Sequence, residues 1–362
     1  MTTDTVGGVW TYSLELIRSL APHNVHFSLA TMGAALTQAQ RQELAAVTNV
    51  TVYESTYQLE WMDAPWAEVE QAGEWLLELS NQLNPDLVHL NNFCHGQLPW
   101  HKPVLMVIHS CVQTWWRGVK GEPAPTDRAY YLKRVREGLQ SADIVIAPTQ
   151  AMLDEAEAVY GTFSRKQVIN NGRNPNAFRS GKKEPFIFSM GRVWDEAKNI
   201  GLLTQVADTL YWPIYIAGDT THPATGEHSL FRNVHFLGKL PPPEISDWLS
   251  RASLYVLPAK YEPFGLSVLE AAFSGCALVL GHINSLEEVW GQAAEFVNPN
   301  DEKGLATVLQ QLIKNDSLRK TMASRAREKA QEYTTEVMAQ KYLQAYASLP
   351  KNETAPNSVV TL

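Results

Sequence analysis

Short apolar runs alternate with longer amphipathic stretches along most of the chain. Residues 25–32, 86–90, 103–108 and 143–147 are brief and rich in Val, Ile and Leu. Runs of that length, apolar at nearly every position, fit strands covered on both faces. Between and after them, 9–20, 37–47, 66–83, 128–139 and 150–160 repeat apolar positions at helical spacing. Strand and helix in alternation predict a parallel, doubly wound sheet.

The pattern stops at 170–185, NNGRNPNAFRSGKKEP, where Asn, Gly, Pro and charge replace periodicity. A second series then starts. Strands are expected at 186–190, 213–217, 234–237, 254–257, 277–280 and 295–297, and helices at 199–210, 242–251, 265–274 and 302–314. This divides the chain into a first domain over 1–172, a linker at 173–185 and a second domain over 186–333. A late helix is expected at 334–349 and a disordered tail at 351–362. Both domains read as Rossmann-like α/β, with a ligand in the cleft at the carboxyl ends of their strands. Only MTTDT precedes the first turn at Gly7-Gly8, too little for an ordinary opening strand. The favoured reading is that Met1 lies within that strand.

Composition narrows the class. In 362 residues, hydrophobic types make up 45% and charged types 19%, so a large core is affordable and wholesale disorder is excluded. Lys and Arg number 30 against 38 Asp and Glu, a net charge of −8, which argues against a nucleic-acid partner. Three dispersed cysteines make no disulfide framework. No apolar run approaches membrane-spanning length and no signal-peptide pattern opens the chain. A cytoplasmic protein is expected, with peripheral membrane contact left open.

The strongest chemical signal is Glu262-Pro-Phe-Gly-Leu-Ser-Val-Leu-Glu270, between an expected strand and helix. A helix start offers free N–H groups and a partial positive charge, which attract phosphate. Gly265 lets the backbone approach a ligand closely. Glu262 and Glu270 bracket this start; taken singly, each would be an ordinary surface charge. Arg192 and Lys198 follow the strand at 186–190, after Gly191, and two cations at the mouth of a strand could neutralise a diphosphate. His109 ends another strand. Asn91 could bind acceptor hydroxyls or cap a turn, the turn being the simpler reading. Trp115 and Trp116, in a segment read as a Pro-containing loop, offer faces for a sugar ring or for packing. No G-x-G-x-x-G, no P-loop, no D-x-D and no zinc spacing occurs, so neither a nicotinamide dinucleotide nor a metal is expected.

The E-P-F-G-L-x-x-L-E stretch resembles the signature of retaining glycosyltransferases of the GT-B fold, glycosyltransferase family 4. Gly7-Gly8-Val9, the strand VLMVIHS ending at His109, A-D-x-V-x-A-P-T at 142–149, V-I-x-N-G at 168–172, A-G-D at 217–219 and S-L-x-E-V-W-G at 285–291 follow in family order. The resemblance implies two Rossmann-like domains, the second binding the nucleotide and the first the acceptor. By the same resemblance Glu262 contacts the transferred sugar and Glu270 the ribose. Phe264, Gly265, Leu266 and Ser267 face sugar and phosphate, Arg192 and Lys198 match a cation pair, His109 lies near the sugar, and the Gly8 loop covers the donor phosphates or meets the acceptor. The lysine stands one residue later than is common, an expansion within 194–197. The resemblance further implies a UDP-, ADP- or GDP-linked donor, no metal, and a glycan, lipid-linked or small-molecule acceptor near Asn91, Trp115 and Trp116. The late helix would pack back on the first domain. A sugar phosphorylase, a nucleotide-sugar isomerase and an inert nucleotide-sugar binder are the competing readings.

Overall fold

The computed structural model describes residues 1–219 and 233–350; the expected tail at 351–362 lies outside them. The first half runs β1 (Thr2–Asp4), α1 (Gly8–Leu20), β2 (Phe27–Met32), α2 (Gln38–Ala45), β3 (Val50–Glu54), α3 (Trp66–Leu83), β4 (Val88–Leu90), β5 (Val104–Val107), α4 (Val112–Lys120), α5 (Ala129–Ser141), β6 (Ile144–Ala147), α6 (Gln150–Tyr160) and β7 (Lys166–Val168). The second runs β8 (Glu184–Met190), α7 (Ile200–Gln205), β9 (Ile214–Ala217), β10 (Val234–Gly238), α8 (Pro242–Arg251), β11 (Ala252–Leu257), α9 (Leu266–Phe273), β12 (Ala277–Gly281), α10 (Asn284–Trp290), β13 (Glu295–Val297), α11 (Glu302–Lys314), α12 (Asp316–Ala330) and α13 (Thr335–Ala347).

Every strand pair is parallel. The second half forms one six-stranded sheet, β10-β9-β8-β11-β12-β13, and the first half two shorter ones, β1-β2-β3 and β4-β5-β6-β7. β1 and β4 would be neighbours in a continuous sheet, but side chains replace the ladder there. The Asn91 backbone N–H donates to Thr2 Oγ1 at 3.0 Å and its Nδ2 to the Thr2 carbonyl at 2.7 Å. The strand at the opening position is only three residues long and polar, Thr-Thr-Asp, yet fully buried. It is buried because it is covered on both faces, not because its side chains are apolar.

Several elements escaped the hydrophobic pattern. β3 and β7 alternate too weakly to stand out, and α10 and α12 are short or polar. The segment read as an aromatic loop is the helix α4. Cys111 Sγ accepts the Thr114 N–H at its start, and Gly121, in the left-handed region at φ 73°, closes it. No helix among the described residues is long and apolar enough to cross a membrane.

The chain passes between the halves twice, after β7 and before α13, and the two passages touch. Arg173 N donates to the Tyr333 carbonyl at 3.1 Å and Thr335 N to the Arg173 carbonyl at 3.2 Å. α13 then packs on α1, burying Met338, Ala339 and Tyr342 with Tyr12, Leu16 and Ile17. Tyr12 donates to Tyr342 Oη at 2.6 Å inside this layer. Gly172 makes the crossing possible, since a Cβ there would stand 2.4 Å from the Thr334 carbonyl oxygen. Gly172→Ala is therefore expected to destabilise the protein by about 1–3 kcal/mol, the usual cost of overpacking against a backbone that cannot yield. Chemical denaturation measures it.

Candidate active site

The carboxyl ends of the strands in both halves open onto one cleft of about 610 Å³. Gly8, His109, Trp115, Gly191, Arg192, Lys198, Glu262, Phe264, Gly265, Leu266 and Ser267 all line it. Asn91, Trp116 and Glu270 are not among its lining residues. The cleft also takes in Asp195, Lys239 and Tyr261, which the motifs did not flag, and Asn171 and Gly218 from within the V-I-x-N-G and A-G-D stretches.

The loop after β8 carries the two cations. Its organiser is Asp195, which is buried, accepts the Ala197 N–H at 3.0 Å and receives Arg192 Nη2 at 2.5 Å. This turn accommodates the extra residue before Lys198, whose N–H donates to the Asp195 carbonyl at 2.9 Å. Arg192 stays half exposed, with its guanidinium 5.2 Å from the centre of the Trp194 ring. The loop lies against the end of β9: a Cβ on Gly218, at φ 145°, would meet the Gly191 carbonyl oxygen at 1.8 Å. Only a glycine at 218 permits that approach.

Opposite, the chain leaves β11 and turns into α9 at Gly265, whose φ of 90° favours glycine. Glu262 Oε1 accepts the Gly265 N–H at 3.0 Å, and Oε2 accepts Lys198 Nζ at 2.5 Å. Ser285 Oγ donates to the Glu262 carbonyl at 2.6 Å. From the core, Tyr255 donates to Ser267 Oγ at 2.8 Å and steadies the first turn of α9. A cleft-lining N-terminal turn, a lysine and an arginine thus share one wall, where an anion would be held.

His109 faces this wall from the first half. Its Nε2 lies 2.8 Å from Asn91 Oδ1. Asn91 already donates through Nδ2 to Thr2, so its oxygen must accept and His109 carries its proton on Nε2. Burial pushes the ring down to about 3, so it is neutral at ordinary pH and Nδ1 keeps its lone pair. Asn91 is committed to this pairing and does not face the cleft, which corrects its reading as an acceptor contact. Trp115 reaches the cleft from α4, whereas Trp116 packs edge-on against it outside, with ring centres 5.8 Å apart.

Side chains also tie the halves together at the back of the cleft. Tyr261 Oη and Thr114 Oγ1 are 2.8 Å apart, and Thr149 Oγ1 donates to the Pro263 carbonyl at 3.0 Å. Glu288 of α10 accepts the N–H groups of Gln150 and Ala151, at 2.7 and 2.8 Å, capping α6 from the other half. Among the described residues, no group of three or more His, Cys, Asp or Glu side chains is placed to hold a metal ion.

Two facing α/β domains with an anion-holding wall define a glycosyltransferase of the GT-B architecture, and the comparisons with known proteins agree. Residues 6–177 match Glycosyltransferase Family 4 and residues 171–329 match Glycosyl transferases group 1. The chain belongs to the family 4 glycosyltransferases of GT-B fold. It is 28% identical over 297 residues to a protein named glycogen synthase from Mycobacterium tuberculosis, covering 75% of this chain and 71% of that one. A D-inositol 3-phosphate glycosyltransferase from Corynebacterium urealyticum is 24% identical over 314 residues, covering 74% and 72%. In fold, a sucrose-phosphate synthase from Thermosynechococcus elongatus superposes with a TM-score of 0.78 at 18% identity, over 96% of this chain and 94% of that one. Anabaena Alr3699/HepE in complex with UDP-glucose gives 0.74 at 17%, over 96% and 99%.

Loss of the Asn91 amide leaves a buried imidazole without its partner, at a cost of about 1–3 kcal/mol. Asn91→Ala is expected to lower kcat about ten- to hundredfold. In the unaltered enzyme the pH–rate profile carries no limb from His109 between about pH 5 and 8, because the ring takes up a proton only far below that window.

Proposed function

We propose that the protein transfers a sugar from a nucleoside-diphosphate donor to a hydroxyl acceptor, with retention of anomeric configuration and without a metal. The observation that carries this reading is the convergence of Arg192, Lys198 and the α9 N-terminus on one wall, with Glu262 and His109 beside it. The diphosphate would lie against the cations and the first turn of α9. As the glycosidic bond breaks, charge accumulates on the departing phosphate, and fixed positive groups lower that barrier. Glu262, steadied by the Gly265 N–H and Lys198, would accept hydrogen bonds from the sugar hydroxyls. A neutral His109 adds no positive charge beside a carbon that itself becomes cationic. Glu270 does not join Glu262 among the residues lining the cleft, so we favour reaction on one face of the sugar, the departing phosphate helping to take the acceptor proton.

Supporting this, a structural neighbour holds UDP-glucose in its own complex, and UDP is the first donor to test, before ADP- and GDP-linked sugars. Lys239, paired with Asp219 at 2.9 Å on the rim, adds further positive charge where a diphosphate would enter. The acceptor, a glycan, a lipid-linked sugar or a small polyol, would approach past Trp115. Three unpaired buried cysteines accord with a reducing, cytoplasmic setting.

Glu262→Gln and Arg192→Ala are each expected to lower kcat by at least about 10²-fold while the far-ultraviolet spectrum stays unchanged. Activity is expected to survive excess chelator, and proton NMR of an early product should show an α linkage from an α-linked donor. Wild-type turnover in both variants, or an inverted product, refutes the reading.

A further inference from the structure

Two turns of the second half carry the groups proposed to act on the donor: the loop after β8, with Arg192 and Lys198, and the turn after β11, with Glu262. They are bonded to each other. The N–H groups of Lys260 and Tyr261 donate to the Ala197 carbonyl at 2.9 and 3.3 Å. Both turns are also gripped by one helix of the first half, α4. Tyr261 Oη lies 2.8 Å from Thr114 Oγ1, and the tyrosine ring is seated on Gly118, where a Cβ would stand 2.9 Å from its Cδ2. At the end of the same helix, Lys120 Nζ donates to both carboxylate oxygens of Glu196, at 2.8 and 2.6 Å. Trp115, on this helix beside Thr114, lines the cleft.

Tyr261 and Thr114 are buried, yet the turn that starts at Tyr261 is not packed solidly. A second cavity of about 270 Å³ adjoins it, sharing Tyr261, Glu262 and Pro263 with the main cleft and adding Gly118, Met152 and Ser285. Three consecutive residues thus border open space twice, and a few bonds decide where they sit. Ser285 and Thr149 hold backbone carbonyls of the turn, at Glu262 and Pro263. Tyr261 sends its side chain into the other half, and it stands one residue before the carboxylate that would meet the sugar. A tyrosine retained for packing alone has no need of a matched hydroxyl. Here the two hydroxyls are out of water together, and removing one leaves the other short of a partner.

We propose that Tyr261 is a positioning residue: anchored on Thr114 and Gly118 of the opposite domain, it sets the turn so that the Glu262 carboxylate meets the transferred sugar. The inference rests on the reading of Glu262 as the sugar-contacting carboxylate, and its test separates the two. Calorimetry on the full chain measures binding of UDP, ADP and GDP and of UDP-glucose, ADP-glucose and GDP-mannose. Release of nucleoside diphosphate from each sugar-linked donor, with water as acceptor, gives turnover. Tyr261→Phe is expected to bind the bare diphosphate within about twofold of the wild type. Its affinity for the matching sugar-linked donor, relative to that diphosphate, should fall about tenfold and its turnover about ten- to hundredfold, as expected when a reacting group is misplaced by a fraction of an ångström. Thr114→Val, which removes the partner hydroxyl from the other domain, should give the same split, and the double variant should be no worse than either single one. A merely structural tyrosine predicts equal weakening of diphosphate and sugar-linked donor, or wild-type turnover, and either result overturns the proposal. Should Tyr261→Phe not fold, Thr114→Val decides by the same criteria. Glu262→Gln is the control. If it keeps the wild-type affinity ratio and turnover, or if the wild type binds none of these donors, the donor reading and this proposal fail together. If Glu262→Gln loses both while the Tyr261 and Thr114 variants keep them, only the role of Tyr261 fails.

Discussion

The cleft exists because two passages of one chain are bonded to each other at a point where no side chain fits. Gly172 lies against the Thr334 carbonyl, and Arg173 exchanges hydrogen bonds with Tyr333 and Thr335. From that crossing α13 returns to α1, so the last helix belongs to the core of the first domain. The two sheets of the first half and the six-stranded sheet of the second, with their strand ends pointing inward, are thereby held face to face. Every group proposed to act on the sugar or the diphosphate stands on one of those ends or on the turn that follows it, which is where α/β sheets collect their ligands.

Within the cleft the charges are already arranged in pairs. Lys198 meets Glu262, Arg192 meets Asp195, and Lys239 meets Asp219. A chain with an excess of acidic residues can in this way present cations to a diphosphate without leaving them mobile. Each lysine or arginine is oriented by a carboxylate before any ligand arrives, so less side-chain freedom remains to be lost on binding. The same carboxylates limit how strongly a stray anion is attracted.

Much of this was legible in residue order. The six strands of the second domain are apolar at nearly every position, and each was found at its place within a few residues. The E-P-F-G turn announced itself because Gly265 needs a left-handed backbone between a strand and a helix. What stayed hidden has physical reasons. β1 is built from two threonines and an aspartate, buried by its neighbours rather than by its own hydrophobicity. α4 reads as a loop because its cap is a cysteine and its flanking Gly and Pro dominate the local composition. The contacts of Asn91 and Arg173 reach partners 89 and 158 positions away, and no local spacing encodes those. An acidic residue standing between two cations was the one available hint for Asp195.

The carboxylate of Glu288 caps a helix that belongs to the opposite domain. Were the domains to swing apart by even a few ångströms at that edge, two amide groups at the start of α6 would lose their acceptor and fall back on water. Tyr261 and Thr114 would part at the same time. Opening on that side therefore works against these polar contacts, and the loop that carries Arg192 is tied across as well, Glu196 accepting Lys120 Nζ of α4 at 2.8 and 2.6 Å. Separating the halves would break these contacts together, so the width of the gap is held by stitches along its edges as well as by the crossing.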